Sequence, residues 1–244
     1  MRELSIWLDA HCPRGDMGVF RTVAELRDAS TTDTVEHVSN GREIVDCILD
    51  QSGFFDHIVI AGHGGTTWLL DDRYGVTTGV PKNETQVEID ALANAISFVA
   101  EDGVLISLAA CLCSRSPSWF LRWKLGQRNI GSDWGPRAYL PGGQASFSSR
   151  LRDAMWWHGV AARVRGHRAS GHASALSLLA EHSVTERFYI GTPCTTLFKI
   201  CFPDIEPTLL VRRKWTRLVT GRLAERWLMG DDSVPGEIRD RWAF

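Results

Sequence analysis

Two residues in this chain pair a nucleophilic thiol with an acid–base imidazole, each placed just after an apolar run. Ile58-Val59-Ile60-Ala61 leads into Gly62-His63-Gly64-Gly65, and Val104-Leu105-Ile106-Ser107-Leu108-Ala109-Ala110 leads into Cys111. Short apolar runs of this length, rich in β-branched residues, read as buried strands. If both run parallel in one sheet, His63 and Cys111 emerge at the same edge, where such sheets gather their functional loops. An imidazole beside a thiol supplies the thiolate and later returns the proton to a leaving amine. Glycine lets the backbone approach a substrate closely, which makes the N–H groups of Gly64 and Cys111 the candidate oxyanion donors.

Other chemistry-bearing residues have plainer readings. Cys113 is the rival nucleophile, because on a continued strand it points the same way as Cys111; the polar turn opening at Ser114 favours Cys111. His57 stands at the far end of its strand from His63 and reads as structural. The six cysteines, at 12, 47, 111, 113, 194 and 201, read as reduced thiols, since a chain of this length buries a core without disulfides. Cys111-Leu112-Cys113 has neither disulfide nor zinc-ligand spacing, and His167 and His172 with Cys194 or Cys201 make no compelling ligand set, so no metal is expected. Asp71-Asp72 reads as a turn. Arg212, Arg213, Lys214, Arg217, Arg222 and Arg226 read as a solvated helix face and not a nucleic-acid surface. The Gly-x-Ser-x-Gly elbow of another α/β hydrolase class does not occur.

The elements that would position the pair alternate in type. Leu4 to Leu8 and Thr34 to Val38 read as strands; Phe20, Val23, Ala24 and Leu26 have the spacing of a short helix. Asn40 is an N-cap for a helix whose apolar face is Ile44, Val45, Ile48 and Leu49 and which ends near Gly53. Trp68 to Val80 predicts a small hairpin, and Ile89 to Val99 a helix. After an irregular stretch from Ser114 to Gln144, which holds Trp119, Trp123 and Trp134, Ser146 or Ser148 caps a helix reaching His158. Val160 to Val164 reads as a strand, Ala173 to His182 as a helix, Phe188 to Ile190 as a strand, and Leu209 to Met229 as largely helical. This order predicts one α/β domain over residues 1–244: a mostly parallel sheet with helices on both faces, a long loop insertion, a core to about residue 192, and a C-terminal helical extension over about 193–244.

The chain has 244 residues, 44% hydrophobic and 23% charged, with Lys+Arg 27 against Asp+Glu 29 and a net charge of -2. That balance argues against disorder and against a purely electrostatic binder of nucleic acid or membranes. The longest apolar run, Val104 to Cys113, falls short of the ~18 residues a membrane span needs. The first residues lack the apolar core of a signal peptide, so a cytoplasmic location is expected.

The two strand ends resemble the catalytic segments of caspase-like cysteine peptidases, the clan that holds caspases, metacaspases, legumains and bacterial CHAT-type proteases. There one apolar strand ends in His-Gly and a later one in a small residue followed by the nucleophilic cysteine, with the histidine about 50 residues upstream in caspases. Here these are His63-Gly64 and Ala110-Cys111, 48 positions apart. The segment from Ala145 to Leu151, followed by Val160 to Gly166, is similar to the helix and strand after the nucleophile in bacterial members. Ala-Ala-Cys-Leu-Cys-Ser departs from the Gln-Ala-Cys of caspases, and the acid that metacaspases place before the small residue and Cys is missing; this points to a divergent bacterial type. The resemblance implies an endopeptidase in which His63 serves as base and acid and Cys111 forms a thioester acyl-enzyme. It implies a protein or peptide substrate, no cofactor, an activating partner or ligand in some relatives, and a pocket for the residue before the cleaved bond. Arg14, Asp16, Arg115 and Asp133 lie in loops within reach of that pocket, with signs that disagree. The competing expectation is a catalytically silent caspase-like module used for binding.

Overall fold

A computed structural model of the chain describes residues 2–8, 34–115, 146–167, 179–188, 210–219, 227–228 and 230. A seven-stranded sheet forms its centre. The strands are β1 (Glu3–Leu8), β2 (Thr34–Val38), β3 (Phe55–Ala61), β8 (Ala100–Ala109), β9 (Arg163–His167), β10 (Leu179–Phe188) and β11 (Leu210–Val219). Their order across the sheet is β11-β10-β9-β8-β3-β1-β2. The pairs from β2 to β9 are all parallel, and β10 and β11 add antiparallel to the edge. A second, small sheet, β4 (His63–Gly64), β5 (Trp68–Leu70), β6 (Val76–Thr77) and β7 (Val87–Glu88), grows from the end of β3.

Strand side chains alternate between faces, and register assigns each face a different character. Leu4, Ile6, Ile58, Ile60, Ile106, Leu108 and Val164 line one face and are buried in the hydrophobic core. The other face carries Glu3, Ser5, His57, Ser107, Arg165 and Glu181, a row of polar side chains that are also buried.

Three helices complete the described core: α1 (Gly41–Leu49), α2 (Ile89–Val99) and α3 (Phe147–Trp157). They pack side by side, α2 between α1 and α3, and so form one layer. Asn40 caps α1 as expected: its side chain accepts from the Glu43 N–H at 3.0 Å, and the Glu43 carboxylate accepts from the Ser39 N–H at 2.6 Å. Ile44, Val45 and Ile48, one helical stripe, are the side chains that α1 buries, while Leu49, expected on that face, is exposed at the end of the helix. Ser146, not Ser148, caps α3, accepting from the Ser149 N–H at 3.2 Å.

The structure corrects three expectations. Leu210–Val219, expected within a C-terminal helical extension, is β11, and Leu179 to His182, expected at the end of a helix, begin β10. Both segments mix helix formers with β-branched residues, so local propensity leaves them undecided; the ladder between β10 and β11 and the pairing of β10 with β9 select strand. β9 starts three residues later than expected. The Val160 and Ala161 N–H groups turn instead to the Met155 carbonyl and the Asp102 carboxylate, each at 3.0 Å. The expected helix over Phe20 to Leu26 and the irregular stretch beyond Arg115 lie outside the described residues. Among those described, no helix is long and apolar enough to cross a membrane.

Candidate active site

β3 and β8 are hydrogen-bonded parallel neighbours, in register from His57 opposite Leu105 to Ala61 opposite Ala109. Both therefore finish at the same edge of the sheet. The ladder runs one step further, because the Gly62 N–H donates to the Ala109 carbonyl at 3.2 Å. His63 and Cys111 follow directly, both half-buried.

Gly64 brings the two strand ends into contact. A Cβ at this position would lie 2.7 Å from the Ala110 Cβ, 2.7 Å from the Cys111 carbonyl oxygen and 3.2 Å from the Cys111 nitrogen. Only glycine permits that approach. The Gly65 N–H donates to the Trp68 carbonyl at 3.0 Å, and Gly64 stands opposite Leu69 in the next pair. Bonded and non-bonded pairs alternate in an antiparallel ladder, so the Gly64 N–H is directed away from β5.

The turn after Cys111 is fixed by its neighbours. Leu112 takes a positive φ of 57°, and the Arg115 N–H donates to the Leu112 carbonyl at 2.9 Å. The Ser114 N–H donates to the His167 carbonyl at 2.9 Å; the Ser148 N–H and Oγ both donate to the Cys113 carbonyl, at 2.9 and 3.1 Å. The first turn of α3 and the end of β9 thus clamp the segment that carries Cys111.

The two thiols are separated by environment. Cys113 is fully buried, with its Sγ 3.2 Å from the Ala110 carbonyl oxygen, and burial pushes its thiol up to about 12. Such a group is a packed core thiol and not a nucleophile at neutral pH. Asp71 is a turn residue, as expected: its Oδ1 accepts from the Arg73 and Tyr74 N–H groups at 2.7 and 3.1 Å.

Of the residues expected near a substrate pocket, Arg115 stands four residues after Cys111, partly exposed. Arg14, Asp16 and Asp133 lie outside the described residues, as do His172, Cys194 and Cys201. His167 is buried at the end of β9. Cys47, Cys111 and Cys113 are not in disulfides, and among the described residues no group of three His, Cys, Asp or Glu is placed to hold a metal ion. Sequence reasoning overlooked one constellation, the buried row of Glu3, His57 and Ser107 on the polar face of the sheet. Its signal was a shared parity: polar residues at alternate positions of otherwise apolar strands.

The fold and site define an α/β protein with a mostly parallel central sheet and a histidine and a cysteine at adjoining strand ends. No family model, curated protein or solved structure matches the chain.

Proposed function

We propose that this protein is a cysteine endopeptidase of the caspase-like type, working through a His63–Cys111 dyad. The observation that carries the reading is the packing of Gly64 against Ala110 and Cys111 at the common edge of β3 and β8. It brings the histidine-bearing loop and the cysteine-bearing turn together, in the chain order that the caspase-like resemblance requires.

The chemistry follows from the residue types. His63 takes the proton from the Cys111 Sγ, and the thiolate attacks the scissile carbonyl carbon. The negative charge on the carbonyl oxygen is met by the N–H groups of Gly64 and Cys111. The His63 imidazolium returns the proton to the departing amine, which leaves a thioester at Cys111. Water activated by His63 then hydrolyses the thioester and frees the enzyme. The reaction needs no cofactor. Its substrates are proteins or peptides in the cytoplasm, and Arg115 is the described side chain that would meet the residue before the cleaved bond.

The test is cleavage of a mixed peptide library by the full chain beside Cys111→Ala, Cys113→Ala and His63→Ala. Cuts after one residue type, kept in Cys113→Ala and lost in the other two, are expected. Loss only in Cys113→Ala would move the nucleophile. A folded wild-type chain that cuts nothing, and whose Cys111 reacts with iodoacetamide no faster than in His63→Ala, would overturn the dyad and favour a silent binding module.

A further inference from the structure

The last two strands of the sheet carry a charge pattern that the proposed catalysis does not use. Over the whole chain the charges nearly cancel, but they are segregated. Residues 34–115 hold four Lys and Arg against twelve Asp and Glu, whereas residues 163–228 hold eleven against five. The near-neutral total that argues against an electrostatic binder therefore hides a basic part, and β9, β10 and β11 lie within it.

Register gives that part its shape. Leu179 of β10 stands opposite His167, the last residue of β9, and His182 stands opposite Val164, the second. Among the described residues the pairing with β9 stops there, while β10 continues to Phe188 and stays paired with β11 as far as Leu210. Residues 183–188 and 210–214 thus form a two-stranded antiparallel ribbon that runs past the beginning of β9. At about 3.4 Å per residue it is roughly 20 Å long. It leaves the sheet at the edge where the parallel strands start, opposite the edge where β3 and β8 end beside His63 and Cys111.

Register also sorts the charges by face. Residues opposite each other in a ladder share a face, and successive residues of a strand alternate. Glu181 stands opposite Arg217, Ser183 opposite Lys214 and Glu186 opposite Arg212. Each strand has one residue outside this register, Thr185 in β10 and Thr216 in β11. Arg212, Lys214 and Arg217 therefore share the face of Glu181, the polar face of the sheet, although they are two and then three residues apart; the extra residue at Thr216 restores the phase. Arg213, opposite Val184, and Arg187, opposite Val211, share the other face. A helix would have spread these positions around its circumference.

The acid at the root of the ribbon is already engaged, since Glu181 Oε2 accepts from Arg163 at 3.1 Å and from Arg165 at 2.8 Å. Along the ribbon itself Arg187, Arg212, Arg213 and Lys214 stand with a single acid, Glu186. β11 is the last strand of the sheet, and a charge or two on an edge strand suffices to prevent pairing with another chain. Cations on both strands and both faces exceed that need, and their complement is a polyanion. The major groove of B-form DNA is wide enough for a two-stranded ribbon, whereas the groove of an RNA duplex is too narrow.

We infer that the β10–β11 ribbon is a docking element for double-stranded DNA, entering the major groove so that Arg187, Arg212, Arg213 and Lys214 meet the phosphates that line it. Contacts of this kind hold DNA of any sequence. The inference does not rest on the peptidase reading, because the ribbon and the dyad lie at opposite edges of the sheet.

The test is fluorescence anisotropy of a labelled DNA duplex of about 20 base pairs, titrated with the full chain at about 50–200 mM salt. Four phosphate contacts predict a slope of log affinity against log salt of about −3 to −4. Arg212→Gln and Arg213→Gln are each expected to reduce that slope by about one. The triple variant Arg212→Gln/Arg213→Gln/Lys214→Gln should bind at least about tenfold more weakly at the low-salt end. Unlabelled duplex should compete better than single-stranded DNA or polyglutamate of the same total charge. A folded wild-type chain that does not bind the duplex at low salt would overturn the inference. So would a folded triple variant with unchanged affinity and slope, and so would equal competition by single strands or polyglutamate. Urea unfolding shows which variants are folded, and if the triple variant is not, the slopes of the two single variants decide.

Discussion

Gly64 and Cys111 touch through their backbones: a Cβ on Gly64 would lie 2.7 Å from the Cys111 carbonyl oxygen and 3.2 Å from its nitrogen. The two residues come from different strands and from opposite ends of the segment that includes the small sheet and α2. Their approach is possible because β3 and β8 end in register and because position 64 carries no side chain. A dyad with a backbone oxyanion site has the same two needs, common strand ends and a bare backbone between them.

Gly64→Ala is therefore expected to damage the site first. The methyl group meets backbone atoms and the Ala110 Cβ, none of which is the free end of a flexible chain, so the strand ends must separate. Overpacking of this kind costs about 1–3 kcal/mol. Peptide cleavage should fall by two or more orders of magnitude if the oxyanion donor shifts, while the chain stays folded. Urea unfolding and cleavage rates on one preparation check both parts.

Thiol labelling should separate the described cysteines by environment. Burial, with Glu36 and Asp50 nearby, pushes the Cys47 thiol up to about 12, and burial takes Cys113 to about 12 against the hydrogen bonds that lower it. At about pH 8 a thiol of that kind is roughly one part in ten thousand thiolate. Limiting iodoacetamide followed by peptide mapping is expected to modify Cys111 and spare Cys47 and Cys113. Modification of Cys113 ahead of Cys111 in the folded chain would contradict the assignment of the nucleophile.

The sequence already showed that the strands of the parallel half exist and where β1, β2 and β3 end, because buried parallel strands are continuous apolar runs, and α1 carries its own start signal at Asn40; β8 begins earlier and β9 later than those runs indicate. It also showed His63 and Cys111 as strand-end residues. It did not show β10 and β11: their segments mix the residue types of helix and strand, and the choice is made by pairing with a neighbour far away in the chain. Strand parity gave Cys111 and Cys113 the same direction, and the sequence favoured Cys111 only through the polar turn at Ser114. Their difference arises when α3 and β9 close over Cys113, a consequence of packing that no spacing reveals. Ser107 appeared as a flaw in an apolar run, and only the register that sets it beside His57 gives it a partner.

Acid should weaken the sheet edge through Glu181. Burial raises the carboxyl, but hydrogen bonds and charge from Arg163 and Arg165 outweigh it and hold Glu181 below its ordinary value. A carboxyl lowered on folding contributes stability that is fully present above its unfolded value, near 4.3, and is lost as the pH falls through its folded value. Glu181→Gln at neutral pH leaves the buried Arg165 without its counter-charge, at a cost of about 3 kcal/mol. The difference between wild type and variant should shrink as the pH is lowered past about 4. Urea midpoints for both chains across that range provide the check, and a constant difference would remove Glu181 as the acid-sensitive group.

Gly166→Ala tests whether the clamp behind Cys111 matters for reactivity as well as for folding. Gly166 lies on β9, where a Cβ would come within 2.6 Å of the Cys113 Sγ, 2.7 Å of the Ser114 Oγ and 2.8 Å of the Ser148 Oγ. Ser114 and Ser148 hydroxyls are themselves 2.6 Å apart, so the cluster has no slack. The added methyl group must push the turn away from β9 and break the Ser114 N–H bond to the His167 carbonyl. A loss of about 1–3 kcal/mol in stability is expected. Because Cys111 rides on the same turn, its alkylation rate should change as well. Cys113→Ala opens space at the same point and should relieve part of the strain, so the double variant is expected to be more stable than the sum of the single changes predicts. Strict additivity, or an unchanged Cys111 alkylation rate in a destabilised Gly166→Ala, would show that the clamp holds the fold without setting the position of the nucleophile.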